Sequence, residues 1–379
     1  LSLLGALAPG LELRLATRAD NPAILTFLGQ RAMRAGLALR FDRSPDFFAL
    51  LDAHSQHHET WLLLQRERVL GMGSIVTRLG YIDGAAEPVA YVGELRVSPR
   101  RTAAGLWRTL LRERAAALRA ELGVRYGFCC IIRGNRLARA SVLSSHGEGL
   151  RFSHLRGYSS VAILARKPWA RRTGTGLTVR RAGEADAGPL RAFLDEHSRW
   201  QPFGVVFDDA TWQHRLRRWP GFGIKSFYLA ADAAGTILGC LAPWDKTAIA
   251  RTVIESMPRS LNLLRLVYNG LAPLARKPVI RIGGGACLPD IVLTHVCVAN
   301  RDPSVFAALL DAAYREAAAT GRYATLSLCL FDADPLAAAL ERYWHYRVPM
   351  DVYWLALDPA ASSLPASAGR IPGFEMCLV

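Results

Sequence analysis

The chain has no Cys-x-x-Cys pair and no paired histidines at zinc-ligand spacing, although it carries seven cysteines. Most of the seven (Cys129, Cys130, Cys240, Cys287, Cys297, Cys329 and Cys377) sit in apolar strand-like runs such as 126–132 and 291–298. There a free thiol behaves as a small hydrophobe. An odd count without a framework excludes a disulfide scaffold and points to a reducing compartment, the cytoplasm. His54, His57 and His58 offer no ligand set beyond one i, i+4 pair and read as a solvated helix face, so no metal is expected. Lysine is scarce: of 47 basic residues only Lys167, Lys225, Lys246 and Lys277 are lysines. The arginines are scattered and form no basic arm, so no nucleic-acid partner is expected. No run approaches the roughly 18–20 apolar residues of a membrane-spanning helix. Residues 1–9 are apolar but lack the basic leader of a secretory peptide.

What is present is a packable chain. Its 379 residues are 51% hydrophobic and 21% charged, a balance that excludes disorder and predicts two domains. The formal charge of +15 reads first as an arginine-rich background. Its functional alternative is attraction for something acidic, a phosphorylated cofactor or an acidic acyl carrier protein.

Two stretches share one order of elements. In the first, Leu11–Leu15 alternates as a half-buried strand, and Asp20 and Asn21 cap a helix over 22–35. Strands follow at 61–64, 69–77 and 91–97, then a turn, a long helix over 103–122, a strand at 126–132, a helix over 135–145 and a closing strand at 158–164. The second stretch repeats this with strands at 177–181, 227–231, 236–241, 290–298, 324–330 and 352–357, and helices at 184–197, 209–218, 303–320 and 334–342. Residues 166–176, rich in glycine and charge, read as the linker between a domain over 1–165 and a second over 177–358, with a loosely packed tail over 359–379. An insertion near 252–280 has apolar residues at helical spacing among arginines. Such a segment packs on the other domain or lies on a membrane surface, and packing is the commoner case, so peripheral membrane contact is not favoured.

The most informative stretch is Gly93–Leu111, GELRVSPRRTAAGLWRTLL. A strand, a loop and a helix start place backbone N–H groups and the positive helix end round an anion. With the element order, this stretch resembles the GNAT superfamily of N-acetyltransferases in a tandem form with a degenerate second half. The resemblance implies a mixed α/β fold of two acyl-CoA N-acyltransferase-like domains, the first working on acetyl-CoA or another acyl-CoA. The superfamily's phosphate loop falls on Arg101, Thr102, Ala103, Ala104, Gly105, Leu106, Trp107 and Arg108, with Gly105 its one matching glycine and Trp107 where a small residue is usual. Amides of Leu95, Arg96 and Val97 are implied to meet the thioester carbonyl, and Asn135 and Ala138 to line the coenzyme arm. The superfamily's usual tyrosine position falls near Val142; Tyr158 is the substitute for the general acid. Glu94 is either the general base for an amine acceptor or a strand carboxylate paired to Arg96 or Arg133. Asn135 is equally a plain helix cap.

In the second stretch no glycine lies between Asp290 and Thr320, so its phosphate cradle is missing. His295 reads as a satisfied interior histidine, and Asp290 and Asp332 as structural. Three functions follow: an acyl-CoA-dependent N-acyltransferase acting on a small-molecule or peptide amine, an acyltransferase fed by a carrier protein, or a non-catalytic scaffold.

Overall fold

A computed structural model describes residues 10–30, 33–35, 37–97, 101–143, 150–170, 176–358 and 369–378. The first half comprises β1 (Leu11–Leu15), α1 (Asn21–Gly29), β2 (Met33–Ala35), β3 (Leu37–Asp42), α2 (Phe48–His54), β4 (His57–Gln65), β5 (Arg68–Ile82), β6 (Ala85–Val97), α3 (Arg101–Leu122), β7 (Tyr126–Ile132), α4 (Arg136–Leu143) and β8 (Arg151–Arg166). The second comprises β9 (Thr178–Arg181), α5 (Ala187–Ser198), β10 (Gly204–Val205), α6 (Asp209–Arg218), β11 (Tyr228–Ala231), β12 (Ile237–Trp244), β13 (Arg251–Ser256), α7 (Arg259–Leu271), β14 (Asp290–Val298), α8 (Pro303–Ala319), β15 (Thr325–Phe331) and β16 (Tyr343–Ala356). The mixed α/β order holds in both halves.

Several local expectations do not. The helix predicted over 22–35 stops at Gly29, and the chain turns into β2 and β3. β3 pairs with β2 on one side and with β13 of the second half on the other, in a separate three-stranded sheet. His57 and His58 lie on β4 rather than a helix, and His58 Nε2 is 2.8 Å from Asp52. The tail does not stay loose to its end: Phe374 packs on Phe128, Tyr158 and Phe331, and Cys377 and Leu378 are buried. Residues 359–368 lie outside the described residues.

One sheet runs through both halves in the order β1-β4-β5-β6-β7-β16-β8-β15-β14-β12-β11-β9, with β10 on the margin of β5. The strand predicted to close the first half, β8, pairs instead with β15 through Tyr158–Phe331 to Ile163–Leu326. In exchange β16 pairs with β7 through Met350–Ile132 to Ala356–Tyr126. The two exchanged strands pair with each other from Tyr343–Arg166 to Ala356–Arg151. Each half therefore carries a strand that the other needs.

The period-2 pleat divides the middle of this sheet into two faces. Val161 and Ile163 of β8 with Leu326 and Leu328 of β15 face α8, where Phe306, Leu309 and Leu310 are fully buried. Tyr158, Ser160, Ala162 and Leu164 point the other way, as do Tyr346, Val348 and Met350 of β16. That second face is covered by β3, β13 and α7, and the cover leaves a cavity.

Candidate functional site

Strands β6 and β7 run parallel from Val89–Tyr126 to Tyr91–Phe128 and then part. The cause lies on the other margin of β6. Met72 of β5 faces Arg96 and Ser74 faces Gly93, so Gly73 alone opposes both Glu94 and Leu95. This bulge turns Glu94 to a φ of 52°, a conformation rare outside glycine, and bends β6 away from β7. The same device recurs in β14: Cys240 faces Cys297, Ala242 faces Thr294, and His295 has a φ of 51°. Strands β14 and β15 likewise run parallel only from Asp290–Thr325 to Val292–Ser327. Two copies of one strand-splitting bulge are thus present.

The first split opens into a cavity of about 420 Å³. At this end stand Tyr91, Glu94, Leu95 and Arg96 of β6, Cys130 of β7, and Trp107 and Arg108 of α3. Asn135 and Ala138 also line it, and the Asn135 side chain accepts from the Ala138 N–H at 3.1 Å. Asn135 is thus a helix cap and a wall residue at once. Glu94 is held by the buried guanidinium of Arg43, with Arg96 3.7 Å from its other oxygen. Burial alone would raise the Glu94 carboxyl, but Arg43 and Arg96 outweigh it and keep it below the usual range. Of the two expected roles, Glu94 shows the pairing to Arg96, with Arg43 as a further and closer partner. The alternative partner Arg133 is engaged elsewhere, with Asp332 and Asp351 at 3.0 Å.

Tyr158 lines the cavity with its ring fully buried, and its hydroxyl interacts with the Cys130 thiol rather than with an oxygen or nitrogen partner. Burial pushes the phenol well above its ordinary value, so it stays protonated. Across the cavity lies a group that sequence reasoning set aside as structural. Asp290 accepts from Thr325 Oγ1 and Ser327 Oγ, both at 2.7 Å, and all three line the cavity. Burial raises the Asp290 carboxyl to about 6 despite these two bonds and the nearby charge of Lys246. Lys246 donates to the Cys377 carbonyl at 3.1 Å, and its charge interacts with both Glu94 and Asp290. Nothing in the sequence marked Asp290 beyond its place at a strand start; its partners lie 35 and 37 residues away on the neighbouring strand.

The phosphate-loop positions divide. Residues 98–100, with Arg100 among them, lie outside the described residues, as do the side chains of Arg101, Thr102, Ala103, Ala104 and Gly105. Their backbone from Arg101 onward is helical. Trp107 does not point into the helix start. Its indole lies over β5, where a Cβ on Gly71 would come within 3.0 Å of Nε1 and one on Gly73 within 3.3 Å of the ring. Two glycines one residue apart thus form a slot for the indole, which also packs with Trp61, Leu63 and Leu110. Leu106 and Val97 join the same cluster, and Arg108 is exposed at the cavity margin.

The second split is closed. His295 is fully buried, ringed by Phe207, Trp219, Phe222 and Phe227, and bonded to Thr294 and Arg215. Burial lowers its imidazole to about 3, so it is neutral. Residues 371–375 lie against the opening, where only about 100 Å³ remains. Glu375 Oε2 accepts the His295 N–H at 3.2 Å while Oε1 is 3.2 Å from Arg215. The bulge amide of this half is therefore already satisfied by the chain itself.

Among the described residues no cluster of histidine, cysteine and carboxylate side chains is placed to hold a metal. No family model and no curated protein matches the chain by sequence. Solved structures do match it in fold. A GCN5-related N-acetyltransferase from Sphaerobacter thermophilus aligns over 92% of this chain and 96% of its own at 12% identity and a TM-score of 0.54. Saccharomyces cerevisiae N-myristoyltransferase with bound myristoyl-CoA aligns over 92% and 83% at 10% identity and a TM-score of 0.57. A fungal GCN5-related glucosamine N-acetyltransferase region, within a multi-domain β-N-acetylglucosaminidase, aligns over 92% and 38% at 13% identity and a TM-score of 0.59. The chain thus shares the fold of these structures, with two bulges that differ in that one is open and the other is filled by residues 371–375.

Proposed function

We propose that the protein is an acyl-CoA-dependent N-acyltransferase whose reaction centre is the split between β6 and β7. The observation that carries this reading is the difference between the two bulges. The first opens on a cavity holding Glu94, Tyr158 and Asp290; the second is occupied by residues 371–375. In this reading the amides at the bulge, over Leu95–Val97, polarise the thioester carbonyl. The acceptor's amine nitrogen attacks the carbonyl carbon, the carbon–sulfur bond breaks, and sulfur leaves as thiolate. The amine proton is relayed along the cavity to the elevated carboxyl of Asp290, which lies beside Thr325 at the opposite end of the β8–β15 pairing from Tyr158 rather than at the reacting carbon. The Tyr158 hydroxyl donates a hydrogen bond to the departing sulfur, which needs a protonated phenol and no full proton transfer. Glu94 and Arg43 fix the bulge rather than exchange protons. The apolar walls match the fold neighbour that binds myristoyl-CoA better than a two-carbon donor alone requires.

The test is thiol release by the full-length protein from acetyl-CoA, myristoyl-CoA and acyl-loaded carrier protein across a panel of primary amines. Turnover with an acyl-CoA that falls about 10²–10⁴-fold in Asp290→Asn supports the assignment. Turnover with the carrier protein alone replaces the donor. Absence of turnover together with absence of coenzyme A binding by calorimetry overturns the reading.

A further inference from the structure

Helix α7 is built inside out. Its inward side is polar: Asn269 donates to and accepts from Ile280, Arg265 bonds Asn262 and the Ile280 carbonyl, and Tyr268 Oη reaches the Pro278 and Ala324 carbonyls. Its outward side carries Leu263, Leu264, Leu266, Val267 and Leu271, each 53–65% exposed, and Leu274 just beyond the helix is 84% exposed. At 100° per residue the five helical positions and Gly270 fall within an arc of about 160° that contains no polar residue past the first turn. No residue of α7 is buried. A surface helix in water presents the reverse arrangement, and a contiguous apolar patch of this kind marks a contact.

We infer that α7 is an interfacial anchor that seats the protein on an anionic lipid bilayer. The charge around the patch selects this occupant. Arg259 opens the helix, and Arg276 and Arg281 follow it, all exposed, on a chain of net charge +15. Exposed leucines preceded and followed in the chain by exposed arginines suit acyl chains below a layer of phosphate headgroups. A second copy of the chain is a poor occupant, because a two-fold contact would set the same arginines against each other. No described helix is long and apolar enough to cross a membrane, so the helix lies in the interface. Leu261, Arg265 and Tyr268 on the opposite side of α7, with Leu264 at the edge of the outward arc, line the cavity wall. The anchor therefore brings the cavity against the bilayer, while its existence does not depend on the acyltransferase reading.

Flotation of the full-length protein with phosphatidylcholine vesicles, with and without 30% phosphatidylglycerol, tests the inference. Leu263→Gln/Val267→Gln/Leu271→Gln changes only outward residues, none of them in the cavity wall. The wild type is expected to float with the anionic vesicles, with partitioning reduced at least tenfold in the triple variant and in neutral vesicles, and with the thermal melt of the variant undiminished. Failure of the wild type to float, or equal flotation of the triple variant, overturns the inference. So does a wild-type dimer by light scattering that the triple variant converts to monomer, since the occupant is then a second copy.

Discussion

Asp290 and Glu94 are carboxylates on the wall of one cavity, and their surroundings separate them. Arginines hold Glu94 down, whereas burial lifts Asp290 to about 6. Pairs pushed apart in this way divide labour in many active sites. Because the folded value of Asp290 exceeds its ordinary 3.8, the folded state binds an extra proton between those two values. Stability therefore declines as pH rises from about 4 to about 6 and stays lower above. Asp290→Asn retains an oxygen acceptor for Thr325 and Ser327 without the charge. Its melting temperature is expected to exceed that of the wild type at pH 8, with the gain vanishing as pH falls to about 4. Activity moves the other way: the wild-type rate climbs through about pH 6 and levels off, and the variant loses that limb. A pH series of melts and rates on both proteins checks the two signs together. Glu94 behaves differently. Glu94→Gln leaves the Arg43 guanidinium buried without its counter-charge, at a cost of about 3–5 kcal/mol. Glu94→Gln/Arg43→Met is expected to recover part of that loss in urea unfolding, and a double variant no more stable than Glu94→Gln would show that the pair is not coupled.

At the scale of elements the chain was legible where local rules decide. The alternation in Leu11–Leu15, the turn at Arg66 and Glu67 between two strands, and the cap at Asn135 all follow from residue chemistry within a few positions. The short strands β2 and β3 were hidden because the hairpin they form is completed by β13, which pairs with β3 from more than two hundred residues on. The bulge was hidden because Glu94 is of a type that rarely takes positive φ and His295, though of a type that takes it more often, lies in an apolar strand-like run without a turn signal. The place of the Trp107 indole was hidden because it depends on Gly71 and Gly73, an alternating glycine pair in a strand whose meaning required the helix packed above it. The slot carries its own prediction. Gly73→Val places branch methyls against the indole and is expected to cost about 1–3 kcal/mol in urea unfolding. Adding Trp107→Ala removes the clash, so the double variant should be more stable than the sum of the singles predicts. Strict additivity would mean that the indole does not occupy the slot.

At the scale of the whole molecule, the duplicated pattern was visible in sequence but the exchange of β8 and β16 was not. A strand's own residues record its pleat and burial, and these are the same whether it closes its own half or the other. The exchange has an energetic consequence that a linker between two independent domains lacks. Val352 sits in β16 between Cys130 of the first half and Arg156 of β8, fully buried, while Tyr343 to Val348 of the same strand pair only with β8, the strand that completes the second half. A lesion there removes support from both halves at once. Val352→Asp puts an unpaired carboxylate into the core and is expected to cost more than about 3 kcal/mol. Hydrogen exchange should show protection falling together in β4 and β5 of the first half and in β11 and β12 of the second, and calorimetry should show one transition in both wild type and variant. Loss of protection confined to the first half, with a second transition left in place, would mean that the halves fold independently despite the shared sheet. The same coupling explains why the second half persists without an open site: its β15 and β14 hold β8, and β8 carries Tyr158 into the cavity of the first.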